Sequence, residues 1–389
     1  MKILHVFKSF YPDTYGGIEK FIHELSIAIA KKHELEIHIL AMGKKNETVK
    51  KDFYTLHFAK TDLNIASTTF SLSAFKKFKK LAKQVDIIHY HFPYPFADLL
   101  HTICRPNKPY IVTYHSDIIK QKKLMMLYKP LMKRFLNGAK YILPTSPNYL
   151  ETSEILKEIK APKKVIPMSL GEETILTAIP NSDWESPSKT SAVIPDYDPE
   201  SPLKDLVGFE KFFIYIGGLR YYKGLDILLD AMKGQDYPLV IVGDGDQREY
   251  LEQKVTQNKL KNVKFVGALD DKAKLSLLKL SYALVLPSNV RTEAFGLVLL
   301  EASMFTKPMI TCKIGTGTTF VNIDKQTGLV AKPNDAQSLK EKLSELWQDE
   351  NKAQEYGANA KARFDDVFSL AKMIESYKSV YDEIIECGN

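Results

Sequence analysis

Short apolar runs alternate with helical patterns along the whole chain. In the first half the runs are "KILHVF", "LEIHIL", "DIIHYH", "YIVTYH", "YILPTS" and "KVIPMS"; in the second they are "FFIYIGG", "PLVIVGDG", "VKFVGAL", "YALVLPS", "PMITCKIG" and "TGLVAKP". Between most of them lie stretches of about 12 to 20 residues with an apolar residue every three or four positions, the spacing of one helix face. Strand-like runs alternating with amphipathic helices predict βαβ units around parallel sheets. The pattern occurs twice, so the fold class is α/β with two Rossmann-like domains. "NSDWESPSKTSAVIPDYDPESPLKD" carries neither periodicity and reads as a linker. The expected division is a first domain over 1–175, a linker over 176–207, a second domain over 208–365, and a closing amphipathic helix over 366–389 that crosses back to the first domain.

The length, 389 residues, suits two such domains. With 44% hydrophobic and 26% charged residues the chain has ample material for cores. Its three cysteines, Cys104, Cys312 and Cys387, are too scattered for a disulfide framework or a zinc knuckle, which fits a reducing cytoplasm. The opening "MKILHVFKSFYP" is too short an apolar run for a signal peptide, and no window resembles a membrane span. Charge changes the picture more. Residues 1–170 carry 28 Lys and Arg against 14 Asp and Glu, whereas 171–389 carry 26 against 33, although the net charge is only +7. A basic first half expects an anionic partner, nucleic acid or an anionic lipid surface.

Four stretches carry candidate chemistry. In "YPDTYGGIEKFIHEL", Gly16 and Gly17 stand between a strand and a helix, where backbone N–H groups either approach an anionic ligand or simply make the turn. It is not GxGxxG, so a nicotinamide dinucleotide is not indicated. In "IGGLRYYKG" the same layout adds Arg220 and Lys223, which either meet phosphate oxygens or stay solvated. In "RTEAFGLVLLE", read as one helix, Glu293 and Glu301 lie about 80° apart in projection and two turns apart along the axis, so that they bracket an extended ligand. The alternative is a buried helix with a carboxylate at its start. The preceding "VLPS" places the segment at the carboxyl edge of a sheet, where open α/β sheets bind ligands. In "VTYHSD", His115 ends a strand, as a hydrogen-bonding or acid–base group or as a structural histidine. His89 and His91 of "HYHFPY" lack a convincing third ligand for a metal.

Together these residues resemble the retaining glycosyltransferases of family 4, over almost the whole chain. The resemblance implies the GT-B fold, two Rossmann-like domains whose parallel sheets face a central cleft, with the first domain binding the acceptor. It places a Gly-Gly loop at Gly16 and Gly17, the strand-end histidine at His115, an Arg/Lys pair at Arg220 and Lys223, and the E-x7-E motif at Glu293 to Glu301. It implies that His115 and Glu293 serve the reacting sugar and phosphate and that Glu301 accepts hydrogen bonds from the ribose. Arg220, Lys223 and the backbone around Phe295, Gly296 and Leu297 would hold the diphosphate, so that no metal or other cofactor is needed. Retention would proceed by front-face attack. The family arginine stands at the position of Gly218 here; Arg220 comes two residues later. "GDGD" over 243–246 is expected to be a strand-to-helix turn.

"GLRYYKG" and "KIGTGTTFVN" are similar to enzymes of bacterial O-antigen and surface polysaccharide synthesis, mannosyltransferases included. The resemblance thus implies transfer of a hexose, mannose from GDP-mannose, to a lipid-linked saccharide. Alternatives are a UDP-sugar donor with another acceptor, another GT-B activity such as an epimerase, or a non-catalytic sugar-binding protein. Two basic amphipathic stretches fit a lipid-linked acceptor. "AFKKFKKLAKQV" sets Phe75, Phe78, Leu81, Ala82 and Val85 on one stripe with lysines elsewhere. "IIKQKKLMMLYKPLMKRFL" adds Lys120, Lys122, Lys123, Lys129, Lys133 and Arg134. They either dock on anionic lipid at the inner face of the cytoplasmic membrane or pack on their own domain. Without a recognised reader motif, nucleic acid is not expected as a partner.

Overall fold

The computed structural model describes residues 1–10, 16–65, 68–118, 122–171 and 201–386. It divides into two units. The first is Met1–Gly171 with the helix Leu370–Glu386, and the second runs from Ser201 to Val367. Most of the expected linker lies outside the described residues, and its last part is the helix Ser201–Val207.

Nine strands belong to the first unit: β1 (Lys2–Val6), β2 (Glu36–Gly43), β3 (Glu47–Lys50), β4 (Thr55–Lys60), β5 (Leu63–Ile65), β6 (Thr68–Phe70), β7 (Ile87–Phe92), β8 (Tyr110–Tyr114) and β9 (Tyr141–Pro144). Seven form one sheet in the order β3-β4-β2-β1-β7-β8-β9, parallel except for β3, while β5 and β6 make a separate hairpin. Inner strands are buried on both faces, and β7 along its whole length, which is why they read as continuous apolar runs. The strand expected at "KVIPMS" gives no ladder: a single bridge joins Ile142 to Lys163, and although Ile166 N donates to Pro144 O (3.0 Å), Pro144 has no N–H to return a bond to Lys164.

The second unit holds β10 (Phe213–Ile216), β11 (Leu239–Val242), β12 (Val263–Gly267), β13 (Ala283–Leu286), β14 (Met309–Cys312) and β15 (Gly328–Ala331), all parallel, in the order β12-β11-β10-β13-β14-β15. Setting aside β3 and the hairpin, both sheets follow one rule. The first three strands of the unit run outward one way and the next three the other way. The order therefore reverses between β1 and β7 and between β10 and β13, and at such reversals a crevice opens beyond the carboxyl ends of the strands.

The closing helix Leu370–Glu386 completes the first unit. Phe368 O accepts from Ser169 Oγ (2.6 Å), Tyr381 Oη meets His89 Nδ1 (2.8 Å), and Tyr377 Oη meets Thr113 Oγ1 (3.1 Å). The apolar stripe of the helix Leu72–Ala82 is spent on its own unit, with Phe78, Leu81 and Ala82 buried and Phe75 half-buried. The helix Lys122–Asn137 differs: Met132, Phe135 and Leu136 are buried, but Met126 and Leu127 are 78% and 82% exposed. Its Lys129 and Lys133 pair with Glu158 at 3.0 and 2.7 Å. Lys120 and the side chains of Lys122 and Lys123 lie outside the described residues. Among the described residues no helix is long and apolar enough to cross a membrane.

Candidate functional site

At the reversal beside β10 and β13 two turns meet. After β10 come Gly217 and Gly218, then Leu219 and Arg220, a single 3-10 turn Tyr221–Lys223, and Gly224. Gly224 has φ 68°, and a Cβ there would lie 2.1 Å from the carbonyl oxygen of Pro287, just past β13. Only glycine lets the two turns approach this closely. Asn289 N donates to Tyr222 O (3.1 Å) and fastens them. Lys223 is thereby carried to Glu293, with Nζ and Oε2 in direct ion-paired contact, and Ser288 Oγ donates to the same oxygen at 3.2 Å. Both charged side chains are nearly buried, 13% and 11% exposed. Burial pushes Lys223 down, but the Glu293 charge and hydrogen bond outweigh it and hold the ammonium above its usual range.

Glu293 is not part of the helix expected over "RTEAFGLVLLE". Gly296, at φ 82°, is the N-cap, and the helix is Leu297–Met304. Glu293 therefore stands in a turn, with its N–H donating to Val290 O (3.1 Å). The loop after β14 props that turn: Thr316 Oγ1 donates to Glu293 O (2.7 Å), Gly317 N to Ala294 O (2.8 Å), and Arg291 Nη1 to Gly315 O (2.8 Å). Phe295 is buried against Gly317, where a Cβ would sit 2.6 Å from its ring. Glu301, in the second turn of the helix, is buried and accepts from Lys274 (2.9 Å) on the helix Asp271–Leu280. No motif marked Lys274; only packing brings it there. Arg220 is exposed, and its Nε lies 3.7 Å from where a Cβ on Gly218 would be, so its side chain passes over the family arginine's position. The "GDGD" segment turns from β11 into the helix Arg248–Gln257 and packs its backbone on the Gly217–Leu219 turn, Leu219 N donating to Asp244 O at 2.9 Å.

In the first unit Gly16 caps the helix Gly17–His33 without a side-chain bond. The residues just before it, 11–15, lie outside the described residues. A Cβ on Gly16 would meet Glu19 Oε2 at 2.1 Å. Glu19 is a buried carboxylate in the first helical turn, and Ser9 Oγ donates to it at 2.7 Å. Sequence reasoning passed over Glu19, although an acid one turn past a glycine pair is a readable signal. His115 follows β8, buried, with its N–H on Phe92 O (3.0 Å) and its ring edge-on to Phe21. Its Nε2 meets His91 Nδ1 at 3.1 Å, and its Nδ1 is buried without a partner among the described residues. Burial pushes its pKa down to about 3, so the ring is neutral near pH 7.

His89 and His91 do have a third histidine nearby. His5 on β1 pairs in register with His89, and ligand atoms of the three fall within 4.8 Å of one another. Five of their six nitrogens are already in use, His5 Nε2 being the exception. His89 meets Tyr381 and Thr113 (2.7 Å), and His91 meets His5 (2.9 Å) and His115, so a metal would have to displace these bonds.

Two doubly wound parallel sheets, the second with a lysine–glutamate pair at its reversal point and a second glutamate on the following helix, define the GT-B glycosyltransferase class. Residues 15–167 match Glycosyltransferase Family 4, and residues 203–363 match Glycosyl transferases group 1. The chain is 41% identical over 387 residues, 99% of each chain, to the O-antigen chain mannosyltransferase C of Escherichia coli. It is 40% identical to the D-rhamnosyltransferase WbpZ of Pseudomonas aeruginosa, over 95% of this chain and 92% of the relative. The chain therefore belongs to glycosyltransferase family 4 and is a hexosyltransferase. Sucrose-phosphate synthase from Thermosynechococcus elongatus shares its fold, with a TM-score of 0.77 at 19% identity over 99% of both chains.

Proposed function

We propose that this enzyme transfers mannose from GDP-mannose to a lipid-linked saccharide during O-antigen assembly, with retention of anomeric configuration and without a metal. The observation that carries the reading is the Lys223–Glu293 pair at the β10/β13 crevice. A donor diphosphate arriving there takes over Lys223, joined by Arg220 and the N–H groups around Phe295, Gly296 and Leu297. Glu293 is then released to the hydroxyls of the sugar, and Glu301 holds the ribose through Oε2, the oxygen that Lys274 leaves open. As the nucleoside diphosphate departs it gathers negative charge, and these fixed donors are already aimed at it. In the first unit, Gly16, Gly17 and His115 stand at the carboxyl edge of their own sheet, and there His115 donates to a sugar or phosphate oxygen. The two relatives support the sugar, because D-rhamnose is 6-deoxy-D-mannose and both names therefore describe transfer of a manno-configured hexose. Exposed Met126 and Leu127 on a basic helix support peripheral attachment at the inner face of the cytoplasmic membrane.

A thermal-shift screen against GDP, UDP and ADP and their hexose conjugates tests the donor. GDP and GDP-mannose should raise the melting point, by about 2.7 kcal/mol of stabilisation at a hundredfold excess over Kd. A shift with the UDP set alone moves the reading to a UDP-hexose, and no shift with any of them removes the donor site.

A further inference from the structure

His5, His91 and His115 stand on β1, β7 and just past β8, on one face of the sheet, and are joined end to end. His5 Nδ1 meets His91 Nε2 at 2.9 Å, and His91 Nδ1 meets His115 Nε2 at 3.1 Å. The outer nitrogens, His5 Nε2 and His115 Nδ1, are buried and have no partner among the described residues. All three rings are buried, which holds each well below its usual pKa and leaves each with a single N–H.

A neutral ring donates from one nitrogen and accepts at the other, so the two bonds cannot be set independently. If His5 donates from Nδ1, His91 must donate from Nδ1, and His115 must carry its hydrogen on Nδ1. If His115 donates from Nε2, the order reverses and His5 is left with an N–H on Nε2. That nitrogen is buried, and an orphaned N–H is a rarely tolerated state. His115 is different, because it stands at the carboxyl end of its strand, where ligands of such sheets arrive. Only the all-Nδ1 arrangement leaves no orphaned N–H once an acceptor oxygen reaches His115.

We propose that His5 and His91 are positioning residues that lock His115 as an Nδ1–H donor toward a sugar or phosphate oxygen arriving at the carboxyl edge of the first sheet. The inference rests on the role proposed for His115. Neither His5 nor His91 touches the ligand; they act through the tautomer.

Histidine-selective 15N labelling reads the tautomers directly. In the free protein the three rings should share one tautomer, and with GDP-mannose all three should be Nδ1–H. Mixed tautomers among the three, or Nε2–H at His115 in the liganded protein, overturn the proposal. Replacing His5→Phe removes the first donor, while His5→Asn keeps an amide near the place of Nδ1. His5→Phe should release His115 to both tautomers and lower kcat roughly tenfold with the donor KM nearly unchanged, the worth of one hydrogen bond. His5→Asn should restore most of the rate. Equal loss in both variants with native melting behaviour overturns the proposal, as does stoichiometric zinc uptake by protein first stripped with chelator. Should His5→Phe not fold, the wild-type spectra alone decide. If GDP-mannose does not bind while the rings of the free protein stay in concert, the donor assignment fails and the coupling stands.

Discussion

Lys223 and Glu293 are each the other's reason for being charged where they are. Removing one leaves a nearly buried charge without its partner, so Lys223→Ala and Glu293→Ala should each destabilise the protein by about 3 kcal/mol. The double variant should lose clearly less than the two losses combined, since it buries no orphaned charge. Urea unfolding of the three variants checks this, and simple additivity would mean that the pair is not coupled. In assays, Lys223→Ala should cost on the order of 10²–10³ in kcat/KM, the scale for deleting a fixed donor at a developing negative charge. Stability and rate part company at Glu301. Lys274 also pairs with Asp271 (2.9 Å) and keeps that partner, so Glu301→Gln should weaken nucleotide binding, read by titration calorimetry, more than it weakens the fold.

Among the elements, β1, β7 and β8 stand apart because they bury four histidines on one face. An unfolded histidine titrates near 6.5, whereas burial lowers His5 and His115 to about 3 and holds His89 and His91 well below their usual value. The folded state thus binds fewer protons, so this stability is complete above pH 6.5 and is lost as pH falls from 6.5 toward 3. At pH 5 the loss is about 2 kcal/mol for each of His5 and His115. Buried Asp98, held above its usual range, gains stability on acidification and works the other way, so the check is made in an Asp98→Asn background: calorimetric melting there should fall between pH 6.5 and 5, above the range of ordinary carboxylates, and a melting point constant down to pH 5 would contradict it. None of this was legible in the sequence. His5 and His91 are 86 positions apart, and only the strand order makes them neighbours. What could be read was whatever a local pattern encodes: all six strands of the second unit, the strand-end position of His115, and the turn–helix carrying Glu293 and Glu301. Missed were β4, whose buried Leu56 and Phe58 alternate with polar residues, the polar strand β3 and the short hairpin, none of which has a continuous apolar run, and the helix start at Gly296, which depends on a backbone angle.

For the molecule as a whole, the basic first half invites a surface test. Lys129 and Lys133 are already engaged with Glu158, and among the described side chains of this helix Met126 and Leu127 are the exposed apolar ones able to enter a bilayer's edge. Burying each is worth roughly 1.5–3 kcal/mol. Sedimentation with anionic vesicles should therefore show partitioning that falls at least tenfold in the double variant Met126→Ser/Leu127→Ser, and equal partitioning of the two proteins would rule out this helix as the anchor. The helix Leu370–Glu386 has a consequence of another kind. It brings Tyr377 and Tyr381 to Thr113 and His89, although nearly the entire second unit is translated in between. Domains usually mature in the order in which they leave the ribosome. Here the half that emerges first must wait, unfinished, for a helix made only after the second unit, so its birth order and its order of completion are reversed.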